Sequence, residues 1–271
     1  MKKTMLMILA SVFVVALGLT ACDRENGKEN EREYPATADV IRNAVKDIDG
    51  NKYDAVRIGD QVWMAENLKT TRFADGTEIE LKVGGTTTAI DQPYRYYPNG
   101  KEERVKDFGY LYTWPAVMHG AGGSNANPSG VQGICPKGWH VPSDAEWTQL
   151  TDYVSSQSQF VCGDSSYSIV KALASQTGWR SNPLDSYIET GCEIVTDPSS
   201  NNATGFSAVP AGAYRLGQYL EFYGMWTSAY FWSSTERDNS AFSRSLINCY
   251  DWVFEDENPK YRAFSVRCLR D

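Results

Sequence analysis

Six cysteines and two histidines hold most of the reactive chemistry available to this 271-residue chain. Cys22 stands apart from the rest. It closes Leu19-Thr20-Ala21-Cys22, just after an apolar run over residues 5–19 and the cationic start Met1-Lys2-Lys3-Thr4. A short positive segment, an apolar stretch too short for a comfortable span, and small residues before a break are marks of a secretory signal. A cysteine at that break is a lipidation site. Its sulfur takes a diacylglycerol, the peptide is cut before it, and the new amine is acylated. Several acyl chains, at about 0.8 kcal/mol per buried CH₂, make a stable anchor. Residues 1–21 are therefore expected to be a signal peptide, with the membrane a partner through lipid on Cys22.

The other cysteines, Cys135, Cys162, Cys192, Cys249 and Cys268, fall in a protein whose export lets disulfides persist. Their number is odd, so they cannot all pair among themselves. No two have CxxC spacing, and only His119 and His140 supply imidazole, an inventory that argues against zinc. His140, between Trp139 and Val141 and ahead of a helix, reads as a hydrogen-bonded strut. His119 stands alone before a glycine-rich loop, which makes a ligand role doubtful. The chain has neither a Gly-x-Ser-x-Gly elbow nor a phosphate-cradling glycine loop. Oxygen ligands do gather at Glu255-Asp256-Glu257-Asn258, a composition calcium accepts, but a solvated acidic loop is the plainer expectation. These residues lead us to expect no enzyme, no metal and no cofactor.

Recognition chemistry is better represented. Between residues 230 and 261, Tyr230, Asn239, Phe242, Ser243, Ser245, Asn248, Tyr250, Trp252 and Phe254 mix rigid aromatics with small hydrogen-bonding side chains. That mixture characterises binding surfaces. If Ala241, Arg244 and Leu246 hold their strand to the domain, these neighbours face out and are candidates for contact with a glycan or protein ligand. Loss of Lys2 and Lys3 with the signal takes the formal charge from −8 to −10, which makes a nucleic-acid partner unlikely on charge grounds.

The elements that must position these residues follow from turn chemistry and periodicity. Residues 23–38 are polar and without apolar period, the pattern of a tether. Structure is expected from about Val45. One hairpin turns at Asp49-Gly50-Asn51 and a second at Gly59-Asp60. Residues 84–107 and 120–133 read as long loops. Ser143-Asp144-Ala145-Glu146 is a capping box, opening a helix with Trp147, Leu150 and Val154 on one face. A second helix is expected over 167–176, then strands over 206–214, 230–235, 241–248 and 263–269. Helices early and antiparallel strands late point to an α+β domain.

Five blocks together resemble one family. They are Val62-Trp63-Met64-Ala65-Glu66-Asn67-Leu68, Gly109-Tyr110-Leu111-Tyr112-Thr113-Trp114, the run from Cys135-Pro136-Lys137-Gly138-Trp139-His140 through Trp147, Phe231-Trp232-Ser233-Ser234-Thr235-Glu236, and Phe264-Ser265-Val266-Arg267-Cys268. The sequence resembles the Fibrobacter succinogenes major paralogous domain of exported lipoproteins, from about residue 45 to 271. The Gly138–Pro142 block is also similar to the formylglycine-generating enzymes. Both likenesses imply a C-type lectin-like fold: two helices, a small antiparallel sheet, long loops and supporting disulfides. They further imply a Cys135–Cys268 bridge and a Cys162–Cys192 bridge, leaving Cys249 outside them. The oxidase family uses two cysteines a few residues apart near the C-terminus, and Cys249 and Cys268 do not match that spacing.

The resulting expectation is a signal peptide (1–21), a lipidated cysteine and tether (22–44) and one domain (45–271). The protein would sit in the outer membrane, facing the cell surface, with a periplasmic orientation as the alternative. Its domain would be a non-enzymatic recognition or adhesion module. The rival reading is a structural subunit of a surface fibre or envelope complex, and an oxidase of the formylglycine-generating type ranks below both.

Overall fold

A computed structural model of the chain describes residues 32–83, 91–181, 190–215 and 222–271. The expected signal peptide, Cys22 and most of the tether lie outside the described residues, as does the stretch 84–90. Tyr34–Asp271 is one compact unit.

The chain opens with β1 (Asp39–Lys46), β2 (Lys52–Ile58) and β3 (Gln61–Met64), joined by the two hairpins read from the sequence. β1 takes in residues 39–44, which the sequence reading leaves to the tether. Next come β4 (Glu80–Leu81), β5 (Tyr94–Tyr96), α1 (Val105–Phe108), β6 (Leu111–Thr113) and α2 (Trp114–Met118). The middle of the chain holds β7 (Trp139–His140), α3 (Asp144–Ser156) and α4 (Val170–Leu173). The remainder is β8 (Ala211–Tyr214), β9 (Phe222–Met225), β10 (Ser228–Arg237), β11 (Ser240–Ile247), β12 (Phe254–Pro259), β13 (Ala263–Phe264) and β14 (Leu269–Arg270).

Among the described residues these strands make two sheets. The five-stranded sheet runs β1-β2-β3-β14-β7, and the nine-stranded one β12-β11-β10-β8-β13-β6-β5-β4, with β9 on β8. The α+β, C-type lectin-like architecture with two helices and a small sheet is thereby overturned. The molecule is mostly β, and α3 is the one described helix of more than five residues.

Competition for backbone groups explains the loss of helix. The expected helix over 167–176 shrinks to α4 because its carbonyls are captured from outside. Asn202 N–H donates to Lys171 O (2.7 Å), Thr204 N–H to Ala172 O (3.1 Å) and Ala208 N–H to Leu173 O (2.8 Å). A carbonyl bonded in this way no longer extends a helical ladder, and Ala174 turns extended (ψ 144). The supposed loop over 84–107 supplies β5 and α1, because Tyr94 and Tyr96 bury themselves in the large sheet. Residues 255–258 are not an acidic loop either. They lie in β12, the edge strand, where Glu255 approaches Arg244 (3.3 Å) and Glu257 pairs with Arg237. Three acidic residues and a proline on an edge discourage further strand pairing.

The capping box at α3 forms as the sequence indicates, Ser143 Oγ accepting from Glu146 N–H while the Glu146 carboxylate accepts from Ser143 N–H. Trp147, Leu150 and Val154 then pack with Trp63, Phe206 and Phe231. Arg267 lies wholly buried against the Phe206 and Phe231 rings. It donates to Asn67 Oδ1 (2.7 Å), Met64 O (3.0 Å) and Ser207 O (2.8 Å), bolting the C-terminal strands to the first sheet. Disulfides join Cys135 to Cys268 and Cys162 to Cys192, the pairs that the resemblance implies, and Cys249 lies outside both.

Candidate functional site

A cleft of about 490 Å³ lies at the nine-stranded sheet. Five pieces of chain frame it: Phe73, the segment 91–93 before β5, α2 with the turn after it, the β10–β11 turn, and the chain leaving β12. Pro115 and Met118 of α2 supply apolar wall, and the Trp114 indole lines the base. Trp114 is fixed at both ends, its backbone N–H donating to Lys260 O (3.0 Å) and its indole N–H to Ser233 O (2.9 Å). The Lys260 ammonium caps the ring from 4.6 Å, a cation–π contact. It is held there by Glu236 and by Asp238 O (2.7 Å), and its hydrogen bond to Glu236 keeps that carboxyl below the usual range.

α2 ends at His119, whose left-handed backbone (φ 49) turns the imidazole into the cleft. The ring stacks on buried Phe73 at 3.7 Å between centroids, and its Nε2 lies 3.1 Å from Asp75 Oδ2. One flat face of an exposed imidazole is thus backed and one edge is pinned. Asp91, Asn239 and Tyr261 bring a carboxylate, an amide and a phenol to the rim. Apolar walls with a few convergent polar groups are the usual make-up of a small-ligand site.

The residues singled out from sequence go to four different places. Asn239 alone lines the cleft. Ser243, Ser245 and Asn248 are buried, because the strands around them are covered on both faces. Ser243 Oγ accepts from Asn258 Nδ2 (2.8 Å), Ser245 Oγ donates to Asp256 Oδ2 (3.1 Å), and Asn248 Nδ2 donates to Arg180 O (2.7 Å). Tyr230, half-buried, stacks on Phe264 and meets Tyr223 edge-on, and Phe242 lies under the Arg237 guanidinium. Burial pushes the Tyr223 phenol up to about 12 and raises that of Tyr230. Tyr250, Trp252 and Phe254 do come together as a half-buried aromatic ridge, with centroids 4.9–5.2 Å apart. Asp251 anchors the ridge, accepting from Ser168 Oγ (2.8 Å).

Sequence reasoning missed most of the cleft. Its contributors come from positions 73 to 261, and only folding of the large sheet makes them neighbours. The nearest local signal was Trp114 at the end of an aromatic block, followed by Pro115, which starts a helix turn.

His140 is a strut. Buried to 3 % exposure, it places Nδ1 2.8 Å from Asp271 Oδ1 and Nε2 2.8 Å from Glu146 Oε1. Burial works against its charge, but the hydrogen bonds to Glu146 and Asp271 prevail and raise its pKa. Among the described residues, no three His, Cys, Asp or Glu side chains gather as a metal site would.

Comparison with known proteins places these features in a family. The model of the Fibrobacter succinogenes major domain matches residues 56–270, and the chain belongs to that family. No curated protein and no solved structure matches it.

Proposed function

We propose that this member of the Fibrobacter succinogenes major domain family is an exported lipoprotein of the outer membrane, lipidated at Cys22, that binds glycans at the cell surface without transforming them. The reading is supported by the Leu-Thr-Ala-Cys break after an apolar signal and by the make-up of the cleft. The observation that carries the glycan assignment is that the Phe73–His119 stack lines the same cleft of about 490 Å³ as Asp91, Asn239 and Tyr261. A sugar ring has an apolar C–H face and a rim of hydroxyls. The backed imidazole and the Pro115–Met118 wall suit the first, and a carboxylate, an amide and a phenol suit the second.

The test is binding of the full chain, held in nonionic detergent, to a broad glycan array. Saturable binding should weaken at least tenfold in Asn239→Ala and Tyr261→Ala, whose side chains contact the cleft but do not tie the fold. The aromatic ridge supports a second reading, in which a protein partner docks on Tyr250 and Trp252. Binding that survives the cleft substitutions but is lost in Tyr250→Ala and Trp252→Ala would move the site to the ridge. A folded chain that binds no glycan would overturn the glycan assignment.

A further inference from the structure

A second feature lies outside the cleft and does not depend on it. Trp226 sits in the turn between β9 and β10 with φ +74, a conformation a bulky side chain rarely takes. Such strain persists only where surrounding contacts enforce it, and it concentrates at functional positions. Three contacts hold it there. Trp226 N–H donates to Pro210 O (3.0 Å), Trp226 O accepts from Arg180 N–H (2.8 Å), and the indole meets Phe108 edge-on at 5.1 Å.

Two guanidinium groups are held over this one indole. The Arg180 guanidinium carbon lies 4.4 Å from its centroid and that of Arg104 5.4 Å. Like charges gathered at one ring repel, and the usual remedy is a carboxylate close by. Among the described residues, neither Arg104 nor Arg180 has one within salt-bridge distance. Glu103, next in sequence to Arg104, reaches towards Lys101 instead (3.9 Å). Arg104 Nη1 is moreover buried and makes no hydrogen bond. An unmet buried donor costs roughly 1–3 kcal/mol, more for a charged group. Arg180 is exposed and Trp226 half-buried, so this corner is open to solvent. Its backbone is nonetheless fixed, since Asn248 holds Arg180 O from β11's far end.

We infer that Arg104, Arg180 and Trp226 form a binding site for an oxyanion carried on a sugar, either a uronate carboxylate or a sulfate ester. Guanidinium forks match both groups with paired hydrogen bonds. The half-exposed indole offers an apolar edge to the ring that bears the charge. The anion supplies what the corner lacks, a counter-charge for both arginines and a partner for the exposed Arg180 fork. This also gives a chain of formal charge −8 a local site for acidic ligands that its net field would repel.

The experiment uses the full chain in nonionic detergent and four soluble polymers: polygalacturonate, its fully methyl-esterified form, dextran sulfate and dextran. The expected result is binding of at least one acidic polymer, weakened by added salt, with the matching neutral polymer unbound. Arg104→Gln and Arg180→Gln should each reduce that binding tenfold or more, and quenching of tryptophan fluorescence on binding should vanish in Trp226→Phe. Preference between the acidic polymers identifies the oxyanion. Should Arg104→Gln fail to fold, the exposed Arg180 carries the test by itself. Equal binding of acidic and neutral polymers, no binding of either, or wild-type binding by Arg180→Gln would overturn the inference.

Discussion

At His140, a buried imidazole lies between two carboxylates, and its titration should be visible in stability. Its pKa is raised in the folded chain, so the imidazolium is favoured there relative to the unfolded state. The contribution is therefore fully present below the unfolded value of about 6.5 and is lost as pH rises through the higher folded value. Urea unfolding across that window should show His140→Gln less stable than wild type by about 1.5–3 kcal/mol at the acidic end, the range for hydrogen bonds to charged groups. The gap should narrow towards alkaline pH. A gap independent of pH would mean that the histidine acts only through packing. The sequence reading identified this residue as a strut from its neighbours alone. Glu146 could be placed only through the capping box, and Asp271 comes from 131 positions away in the chain.

Among the elements, the ones legible in the sequence are those built from local chemistry. Both hairpins and the α3 cap follow from turn residues and a Ser-x-x-Glu pattern that act within a few positions. Where long-range bonds decide, the reading went astray: α4 lost its carbonyls to residues 202–208, and residues 255–258 joined a sheet edge. The same limit hid the cleft, whose walls meet only when β13 brings β6 and β8 together. Gly109 illustrates an element-scale constraint. It ends α1 at φ +72, and an added Cβ would lie 2.6 Å from Leu68 O and 2.7 Å from Asn67 Cβ. Gly109→Ala should thus combine backbone strain with a clash and cost at least about 3 kcal/mol. Thermal unfolding would measure it, and a loss below 1 kcal/mol would mean that the 67–68 segment can yield.

For the whole molecule, the disulfides hold the domain together, and the lipid proposed on Cys22 would set where it stays. Cys135–Cys268 closes a separation of 133 residues. Constraint of the unfolded chain over such a loop contributes on the order of 4–5 kcal/mol. The double substitution Cys135→Ser with Cys268→Ser should lose about that much in denaturant unfolding, and wild type treated with reductant should converge on it. Cys162–Cys192, closing 30 residues, should matter less. Cys22→Ala should abolish metabolic incorporation of labelled palmitate and release the protein from the membrane fraction. Retained label would place the lipid elsewhere.

β14 has a consequence for the order in which the protein can be made. Residues 269–270 lie in the middle of the five-stranded sheet, between β3 and β7, with Leu269 opposite both Trp63 and His140. Until those positions leave the ribosome, β3 and β7 wait with an open seam between them. Arg267 and Cys268, the bolt and the clasp, arrive at the same moment. A chain arranged in this way cannot lock before β14 is free, so in the export proposed above it would cross unlocked and set into its final shape afterwards.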